Sequence, residues 1–556
     1  MTITILDIRD QLKERWGLEF SRISRLINGL NSEVYISSDA LVSDSALSHR
    51  AVGQILQLLE PFLQQNDEGL RINPQHRAEI ARLFPLDDAP PDPWEERARQ
   101  HPVLPHLSTI LSQRPAPDRH LDHVAATPLT ALKRALFLSS QYDLSDASVL
   151  LLGDHDMTSI ALALLEPSLA LTVADIDERL LLFINSFNAE HGTSIRIFFS
   201  DLRVELPPGL YGQFDLVFTD PPYSEDGVGL FLQRAICALR ERDFTRIILS
   251  YGYGEQQVSL GYKVQSVLHQ LRLLNEAILP RFNRYTGAPS LGERSDLYIL
   301  RPTRRSLAAA RRQPYGGSIY TQGRSARESA HQHLPEPLLD GLHQRVSTWP
   351  VKRLLHVGHP LKSDALQTAS PLTLSTYFQA LREGDKSVLG HESAVINLYP
   401  DYGHYALHAC LTTNATHLLL CAHQRVLADL FSHPTPLREL VECIFSLQMR
   451  LQEGNAAWVE LIRQNNDSSD RHSALVRSIL ERRRARLNNA WREALISTLK
   501  ADGITLSKNQ ARSCIAQTSL GALYAQQYIG EMPSTALAGL ANDAKASLDA
   551  ALSLNT

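Results

Sequence analysis

The chain has few cysteines and no long apolar run, and both absences narrow what it can be. Its five cysteines among 556 residues are odd in number, widely spaced and form no CxxC pair. This argues against a disulfide scaffold and against a cysteine zinc site. No apolar run approaches the roughly 18 residues that a membrane span needs. The first residues, MTITILDIRD, lack the basic and apolar regions of a signal peptide. We therefore expect a cytoplasmic protein without a membrane partner.

An excess of charge of either sign is also absent. The formal net charge is -5, with 21% charged and 44% hydrophobic residues, so no overall basic field attracts nucleic acid. Nucleic acid is accordingly not expected as a partner. At about 150 residues per domain the length predicts three to four domains, and the sequence contains no internal repeat.

Composition and periodicity divide the chain into six segments. We predict a winged-helix-like domain at 1–85, a linker at 86–117, a doubly wound α/β domain at 118–303, a linker or loop at 304–348, a small α+β region at 349–430 and a mainly helical region at 431–556.

The first segment has two alternative interpretations. A short helix, a turn, a second helix with Val52, Ile55 and Leu59 on one face, and an Asp-Glu-Gly turn between extended pieces are typical of a winged helix-turn-helix. Such a module binds DNA, or it pairs subunits in a homodimer or covers a neighbouring active site. The second helix offers only Ser48, His49, Arg50 and Gln54 as polar readers of DNA, and the segment is not basic. We therefore favour the second interpretation.

The central segment alternates strands with helices. Short apolar, β-branched runs between helices indicate strands that are buried on both faces of a parallel sheet. A doubly wound, Rossmann-like sheet binds its ligand beyond the carboxyl ends of the strands. The predicted strands are 148–153, 169–175, 194–201, 214–220 and 245–252.

Carboxylates end the first four of these strands. A carboxylate after the second strand, Asp175, suits the two hydroxyls of a ribose, and Asp201 after the third is able to accept from an exocyclic amino group such as that of adenine. Turn formation and helix capping are the alternative for any single residue, but four strands in a row favour a nucleoside site. The carboxylates are Asp154, Asp156, Asp175, Asp177, Asp201 and Asp220.

The loops after the first and fourth strands carry the most specific signals. Gly153-Asp154-His155-Asp156 has one glycine and two acids, whereas a dinucleotide loop needs G-x-G-x-x-G. It repels phosphate and suits an ammonium or sulfonium ligand. In Asp220-Pro221-Pro222-Tyr223 the prolines fix the backbone, so the loop presents a carboxylate, free carbonyls and an aromatic wall to an amine.

These motifs carry a resemblance to a known family. The segment from about 114 to 302 resembles the catalytic domain of the branched-chain polyamine synthases, or N4-bis(aminopropyl)spermidine synthases. One departure is His155, which replaces the middle acid of the family's Gly-Asp-Asp-Asp. The other is the absence of a CxxC upstream of Cys237. The matching segments are Gly153–Ser159, Asp175–Leu180, Asp201–Arg203, Thr219–Pro222, Thr127-Pro128 and Phe282–Tyr285.

The resemblance implies an aminopropyltransferase with a methyltransferase-like fold and no metal. It would move the aminopropyl group of decarboxylated S-adenosylmethionine to a spermidine-like polyamine or other amine, releasing methylthioadenosine. Asp156 would take the proton of the amine, while Asp220 and Tyr223 would orient it. The residues that would bind the aminopropyl donor are Gly153, Asp154, His155, Asp175, Asp177, Asp201, Leu202 and Pro221.

Two other functions remain alternatives. One is an amino-methyltransferase that uses ordinary S-adenosylmethionine on a nucleobase or a protein, although the acidic first loop suits a methionine carboxylate poorly. The other is a non-catalytic regulator that senses a nucleoside. The histidines beyond residue 330 match no metal-ligand spacing, and we expect them to be scattered on the surface. They are His331, His333, His343, His356 and His359.

Overall fold

The computed structural model describes most of the chain and divides it into two compact units. It describes residues 3–45, 47–85, 92–241, 243–254, 257–286, 293–312, 319–320, 333–349, 354–361, 372–385, 388, 391–464 and 470–554. Unit 1 comprises Met1–Val173, Phe187–Ile195 and Gly212–Tyr315, and unit 2 comprises Ala174–Ser186, Arg196–Tyr211 and Gly316–Thr556. No helix among the described residues is long and apolar enough to cross a membrane.

The N-terminal part of unit 1 packs helices around a small hairpin with its own apolar core. Strands β1 and β2 pair antiparallel from Leu63↔Ile72 to Asn66↔Gly69, which confirms the predicted turn. Gly69 has φ +146°, and a Cβ there would lie 2.3 Å from the Ile36 carbonyl oxygen, so the turn requires glycine. The elements are α1 (Ile5–Trp16), α2 (Phe20–Leu30), α3 (Ser38–Ser45), α4 (His49–Leu59), β1 (Leu63–Asn66), β2 (Gly69–Ile72) and α5 (Arg77–Leu83).

The predicted linker at 86–117 contains helices. Helix α6 (Pro93–Arg99) begins at Asp92, whose side chain accepts from the backbone N–H groups of Trp94 and Glu95, and α7 (Val103–Leu111) follows. The proline content suggested a linker, but here Pro93 occupies the first helical turn, where its missing N–H costs nothing.

An eight-stranded mixed sheet follows, in the order β3-β9-β10-β8-β7-β4-β5-β6. Strands β4, β7 and β8 run parallel, whereas β10 and β9 are antiparallel. The five predicted strands correspond to β4–β8, each within two residues at either end. The strands are β3 (Ala125–Ala126), β4 (Ser148–Leu152), β5 (Ala170–Asp175), β6 (Arg196–Phe199), β7 (Leu216–Thr219), β8 (Arg246–Tyr251), β9 (Leu273–Thr286) and β10 (Arg294–Pro302).

Helices separate the parallel strands, as the alternating pattern predicted. The boundary between the two units passes through β5. The helices of this region are α8 (Pro128–Gln141), α9 (Thr158–Leu165), α10 (Glu178–His191), α11 (Glu225–Ala238), α12 (Val258–Gln270) and α13 (Ser306–Arg312). The last of them lies in the interval predicted as a linker at 304–348.

Unit 2 contains a second sheet of five strands, in the order β11-β12-β13-β15-β14. The prediction of a mainly helical region from residue 431 misses its β14–β15 hairpin, which has Gly454 at φ +55° in its turn. The strands of this sheet are β11 (Leu354–Gly358), β12 (Ser393–Asn397), β13 (His417–His423), β14 (Phe445–Glu453) and β15 (Ala456–Arg463).

The second sheet repeats the topology of part of the first. In β4-β7-β8-β10-β9 and in β11-β12-β13-β15-β14 three parallel strands are followed by two antiparallel ones, added in the same order along the chain. A glycine with positive φ follows or ends the first strand in both, Gly153 at 71° and Gly358 at 91°. The internal repeat that the sequence does not show is therefore present in the topology.

The other elements of unit 2 beyond residue 316 are helices, which agrees with the predicted composition of its last hundred residues. They are α14 (Glu336–Ser347), α15 (Leu374–Glu383), α16 (Ala406–Thr412), α17 (Gln424–Phe431), α18 (Pro436–Glu442), α19 (Arg471–Glu481), α20 (Leu487–Ala501), α21 (Lys508–Ala516), α22 (Ser519–Leu523), α23 (Ser534–Leu537) and α24 (Leu540–Ser553).

Candidate functional site

The site in unit 1 is built around a buried arginine on α8. This helix begins at Thr127, whose hydroxyl accepts from the N–H of Thr130, and Pro128 occupies its first turn. The Arg134 side chain is 0% exposed. A buried guanidinium requires partners for its charge and its N–H groups, so the surroundings of Arg134 define the site.

Arg134 binds five side chains from distant parts of the chain, one of them the hydroxyl of Thr158 at 3.4 Å from Nη1. Its Nη1 donates to Oδ2 of Asp156 over 2.6 Å and its Nη2 to Oδ2 of Asp220 over 2.8 Å. Its Nε donates to Oδ1 of Asn283 over 2.8 Å, and Nη2 lies 3.0 Å from the hydroxyl of Tyr285. One guanidinium therefore connects the loops after β4 and β7 with strand β9.

Asp156 is held in its ionised form. Its Oδ1 also accepts from the backbone N–H of Ala126 over 2.7 Å. Burial opposes ionisation, but the charge of Arg134 and these hydrogen bonds outweigh it and lower the pKa of Asp156. Met157, at φ 58°, turns the chain from this loop into α9.

Asp220, in contrast, is shifted toward its protonated form. Its side chain is 14% exposed against 7% for Asp156, and it accepts from the hydroxyls of Tyr285 over 2.7 Å and Tyr223 over 3.0 Å. Burial and the neighbouring charge of Asp156 raise the pKa of Asp220 to about 7, despite Arg134. The pKa directions therefore make Asp220 the better proton acceptor, whereas the sequence motif had assigned that role to Asp156.

The two tyrosines remain neutral donors. Burial, followed by the charge of Asp220, raises the pKa of both Tyr223 and Tyr285 well above the usual value. Pro221 and Pro222 are buried, and a Cβ at Gly227 would lie 2.5 Å from the Pro222 carbonyl oxygen. The close approach of α11 thus fixes the loop that presents Asp220 and Tyr223.

The charge balance of this cluster indicates its chemistry. Two carboxyl groups share one guanidinium, so the cluster has one more negative charge than positive charge when both are ionised. A second positive charge neutralises it: a proton on Asp220, an ammonium group of a ligand, or the guanidinium of Arg114, whose charge interacts with that of Asp156. The cluster is therefore suited to bind a cationic amine and to accept its proton.

The rest of the first loop lies in the same unit. Asp154 is buried and accepts from the N–H of Ser159 over 3.3 Å and from its hydroxyl. His155 stacks on His123, with ring centroids 4.4 Å apart and planes at 18°. Gly153 occupies the left-handed region at φ 71°, which a glycine adopts without strain.

Unit 2 holds the carboxylates that end β5. The Oδ1 of Asp175 accepts from the N–H of Asp177 over 2.8 Å. Asp177 in turn accepts from the N–H and guanidinium of Arg179 at the start of α10. The binding of a ribose by Asp175 stays a prediction, and the contacts of Asp177 match the helix-capping alternative.

The carboxylate of Asp201 is engaged by Arg203 and His404, and its role as a nucleobase acceptor stays a prediction. Its Oδ2 lies 2.6 Å from Nη2 of Arg203 and 3.1 Å from Nε2 of His404, and its Oδ1 accepts from the N–H of Arg203. Burial disfavours the charged form, but Arg203 and His404 outweigh it and hold the pKa of Asp201 well below its usual range. Leu202, between the two, is buried.

Some predicted surface histidines are structural instead. Nε2 of His359 lies 2.7 Å from Oδ1 of Asp401, whose Oδ2 accepts from Arg203 over 2.7 Å. His356 is buried, with Nε2 3.2 Å from the His359 carbonyl oxygen. His333 is exposed and His343 half-buried, while His331 lies outside the described residues.

Sequence reasoning missed Arg134 as the centre of the site. The available signal was the pair Lys133-Arg134 within the apolar run of α8, where both side chains are buried. Nζ of Lys133 also binds Asp92 and the Phe282 carbonyl oxygen. Charged residues on a helix are usually solvated, so the pair was not recognised as functional.

Comparisons with known proteins support the resemblance found in the motifs. Residues 103–305 match the family model described as the branched-chain polyamine synthase A C-terminal domain. An N(4)-bis(aminopropyl)spermidine synthase of Thermococcus kodakarensis is 37% identical over 139 residues, which are 25% of this chain and 40% of that protein. An uncharacterized protein of Methanocaldococcus jannaschii is 34% identical over 186 residues, 34% of this chain and 46% of that protein.

These matches confirm the resemblance for the part of the chain that they cover. The matched region spans less than half the length of either relative. A solved structure is also similar: the branched-chain polyamine synthase from Thermus thermophilus in complex with N4-aminopropylspermidine and 5'-methylthioadenosine. Its TM-score is 0.42 at 20% identity, and the match covers 58% of this chain and 97% of that one.

Proposed function

We propose that this protein is an aminopropyltransferase whose reaction takes place at the Arg134–Asp156–Asp220 cluster. The aminopropyl donor would be decarboxylated S-adenosylmethionine, and the acceptor a spermidine-like polyamine. The acceptor nitrogen forms a bond with the propyl carbon next to sulfur. The bond from that carbon to sulfur breaks, its electron pair stays on sulfur, and methylthioadenosine leaves.

One observation carries the proposal: the raised pKa of Asp220 beside an ionised Asp156. A polyamine nitrogen has a reference pKa of about 10.4 and must lose a proton before it attacks. A carboxyl near pKa 7 takes that proton more readily than an ordinary aspartate near 3.9, a difference of roughly 4 kcal/mol. The ionised Asp156 supplies the negative charge that keeps the ammonium group in place before the transfer.

The tyrosines contribute orientation. The hydroxyls of Tyr223 and Tyr285 both point to Asp220 and lie 3.1 Å apart. They fix the carboxylate while it accepts the proton, and the ring of Tyr223 forms an aromatic wall beside the loop. Positioning of this kind removes the cost of ordering the proton acceptor during the reaction.

The fold supports the same proposal. We regard the eight-stranded sheet as methyltransferase-like, because parallel strands β4 and β7 place the loops that hold Asp156 and Asp220 at one edge. Crevices at this edge bind nucleosides in doubly wound sheets. The ribose role of Asp175 and the binding roles of Gly153, Asp154, His155 and Pro221 remain part of the proposal.

The test uses the purified full chain with decarboxylated and ordinary S-adenosylmethionine and a panel of amines. We expect tighter calorimetric binding of the decarboxylated form, and a product that is heavier by one aminopropyl group together with methylthioadenosine in mass spectrometry. Tighter binding of the carboxylated form with a methylated product would instead make the protein an amino-methyltransferase. If neither form reacts with any amine but both bind, the chain is a nucleoside sensor.

We also propose that residues 3–85 form a winged-helix-like module that does not read DNA. Three of its four polar candidates are engaged within the module. Oγ of Ser48 accepts from the N–H of Ala51 over 3.3 Å, Oε1 of Gln54 accepts from Arg15 over 2.6 Å, and His49 lies 3.3 Å from Asp39. The full chain should show no salt-dependent shift in fluorescence polarisation with duplex DNA. A shift that disappears on Arg50→Ala would overturn this.

A further inference from the structure

Unit 2 contains a pocket whose walls include none of the residues assigned to catalysis. The space that it encloses, counted out to the mouth and including open solvent there, is about 550 Å³. The walls come from the segment after β6, from α15, from the turn between α19 and α20 and from the turn at residues 529–531. Each of these elements belongs to unit 2.

A buried carboxyl group with an unsatisfied oxygen faces this pocket. Glu531 is 5% exposed, and its Oε2 accepts from the N–H of Tyr528 over 2.9 Å. Its Oε1 has no hydrogen-bond partner among the residues that the structure describes. Burial raises the pKa of Glu531 to about 7. Leaving a buried acceptor without a donor is costly, so a ligand that donates a hydrogen bond to this oxygen would gain binding free energy.

Positive charge lines another part of the pocket. Arg382 is already paired, since it donates to both carboxylate oxygens of Glu205 over 2.6 Å. Arg483 donates to Oδ1 of Asn414, and Arg484, which also lines the pocket, is exposed. An anionic ligand group beside these two neighbouring guanidinium groups would accept charge-assisted hydrogen bonds from them.

Aromatic rings line the space between the charged groups. The rings of Phe199 and Phe378 pack against Tyr405, with centroids 5.5 and 5.4 Å away. All three line the pocket. Such walls favour an apolar or aromatic group on the ligand.

We propose that this pocket binds a small zwitterion of the α-amino-acid type with an apolar or aromatic side chain. Its ammonium group donates to Oε1 of Glu531, its carboxylate accepts from Arg483 and Arg484, and its side chain lies against the aromatic walls. The ligand would contact Ser200 and Glu205, which flank the Asp201–Arg203 segment. The proposal does not depend on the aminopropyl transfer proposed above.

Calorimetry on the full chain with L-phenylalanine and two analogues tests this proposal. 2-Phenylethylamine lacks the carboxylate, and 3-phenylpropanoate lacks the amine. We expect phenylalanine to bind and each analogue to bind at least about tenfold more weakly, because each leaves a charged group without its hydrogen bonds. No binding of phenylalanine at millimolar concentration, or equal binding of either analogue, would overturn the proposal.

Variants locate the site. Glu531→Gln keeps the acceptor for Tyr528 and should weaken phenylalanine binding about tenfold, and Arg484→Gln, at an exposed position, should weaken it as well. The exposed Glu493→Gln on α20 is the matched control and should leave the affinity unchanged. Hydrogen exchange should slow at 196–211 and 374–383 when phenylalanine is added. Protection elsewhere, or unchanged affinity in Glu531→Gln, would place the ligand in another site.

Discussion

Asp156 and Asp220 are bound to the two ends of a single guanidinium, at 2.6 and 2.8 Å from Nη1 and Nη2 of Arg134. The same arrangement gives the two carboxyl groups opposite pKa shifts, since the first to ionise keeps the charge of Arg134 and disfavours the second. A site that binds a cation and takes a proton from it needs both states at once. The pair supplies them from two residues that are chemically identical.

The first prediction distinguishes the role of Asp156 as a counter-charge from that of Asp220 as the proton acceptor. Asp156→Asn removes the neighbouring negative charge, so the pKa of Asp220 should fall and the acidic limb of the pH–rate profile should move to lower pH. Turnover should also fall, because the ammonium group loses its counter-charge. Asp220→Asn removes the proton acceptor, so turnover should fall by about 10²–10⁴ and the limb near pH 7 should disappear.

The measurement is kcat at saturating aminopropyl donor across pH for both variants. Raising the pH should partly rescue Asp220→Asn, because more of the acceptor amine is then already neutral. If alkaline rescue appears only in Asp156→Asn, the proton acceptor is Asp156, as the sequence motif first indicated. If neither variant loses activity, the reaction does not use this cluster.

A second prediction concerns the hydroxyl of Tyr223. Tyr223→Phe removes a hydrogen bond that favours the ionised form of Asp220, so the pKa of Asp220 should rise and the acidic limb should move to higher pH. This shift is opposite in sign to that of Asp156→Asn. The exposed Tyr262→Phe on α12 is the control. A shift toward lower pH in Tyr223→Phe would show that the hydroxyl does not stabilise the carboxylate.

The sequence predicted the strands of the central sheet and the acidic residues that end them. Asp156, Asp220 and Tyr223 come together as predicted, because buried parallel strands have an unambiguous apolar pattern and their carboxyl ends share one edge. Arg134 was missed because its partners lie 22 and 86 residues away. Only the three-dimensional fold shows that a charged residue on α8 faces inward.

The second sheet shows a different limit of sequence reasoning. Strands β11–β13 lie in the interval predicted as a small α+β region, but the β14–β15 hairpin lies in the region predicted as mainly helical, although Gly454-Asn455 offers a turn signal between its strands. Polar and apolar residues mix on β14, where most positions are exposed or half-buried, so the pattern of a buried strand is absent. Topological repetition without sequence repetition cannot be detected from residue patterns at all.

A third prediction tests the importance of Arg134 for stability. Arg134→Met leaves two buried carboxyl groups without their counter-charge, and removing one partner of a buried ion pair typically costs about 3–5 kcal/mol. The free energy of unfolding of the full chain should fall by that order in urea denaturation. Arg134→Lys keeps the charge but not the two-ended geometry, so it should recover part of the stability and little activity. The exposed Arg99→Met is the control: it should change the free energy of unfolding by at most about 1 kcal/mol and leave the activity unchanged.

A fourth prediction concerns Asp175 at the end of β5. Asp175→Ala removes the acceptors for two ribose hydroxyls, and hydrogen bonds to a charged group contribute about 1.5–3 kcal/mol, so methylthioadenosine affinity should fall roughly ten- to a hundredfold. Amine binding should change far less. Calorimetry with Glu190→Ala, an exposed position on α10, provides the control. Unchanged methylthioadenosine affinity in folded Asp175→Ala would contradict the ribose role.

The last prediction compares two aspartate–arginine pairs with the same spacing in unit 2. Arg203 is 1% exposed and binds both Asp201 and Asp401, whereas Arg179 is 52% exposed and binds Asp177. Arg203→Met should therefore cost about 3–5 kcal/mol of unfolding free energy at neutral pH, and Arg179→Met at most about 1 kcal/mol.

The loss of unfolding free energy in Arg203→Met should depend on pH in a definite direction. The pKa of Asp201 is lowered in the folded protein, so its contribution to stability is present above the unfolded value of about 3.9 and is lost as the pH falls through the folded value. Without Arg203, burial instead favours the protonated acid, and acidification removes the unpaired charge. The gap between the wild type and Arg203→Met should therefore narrow as the pH falls from 7 toward 4, while the small gap for Arg179→Met should stay nearly constant. A gap that stays constant on acidification would show that Arg203 stabilises unit 2 by packing rather than by its charge.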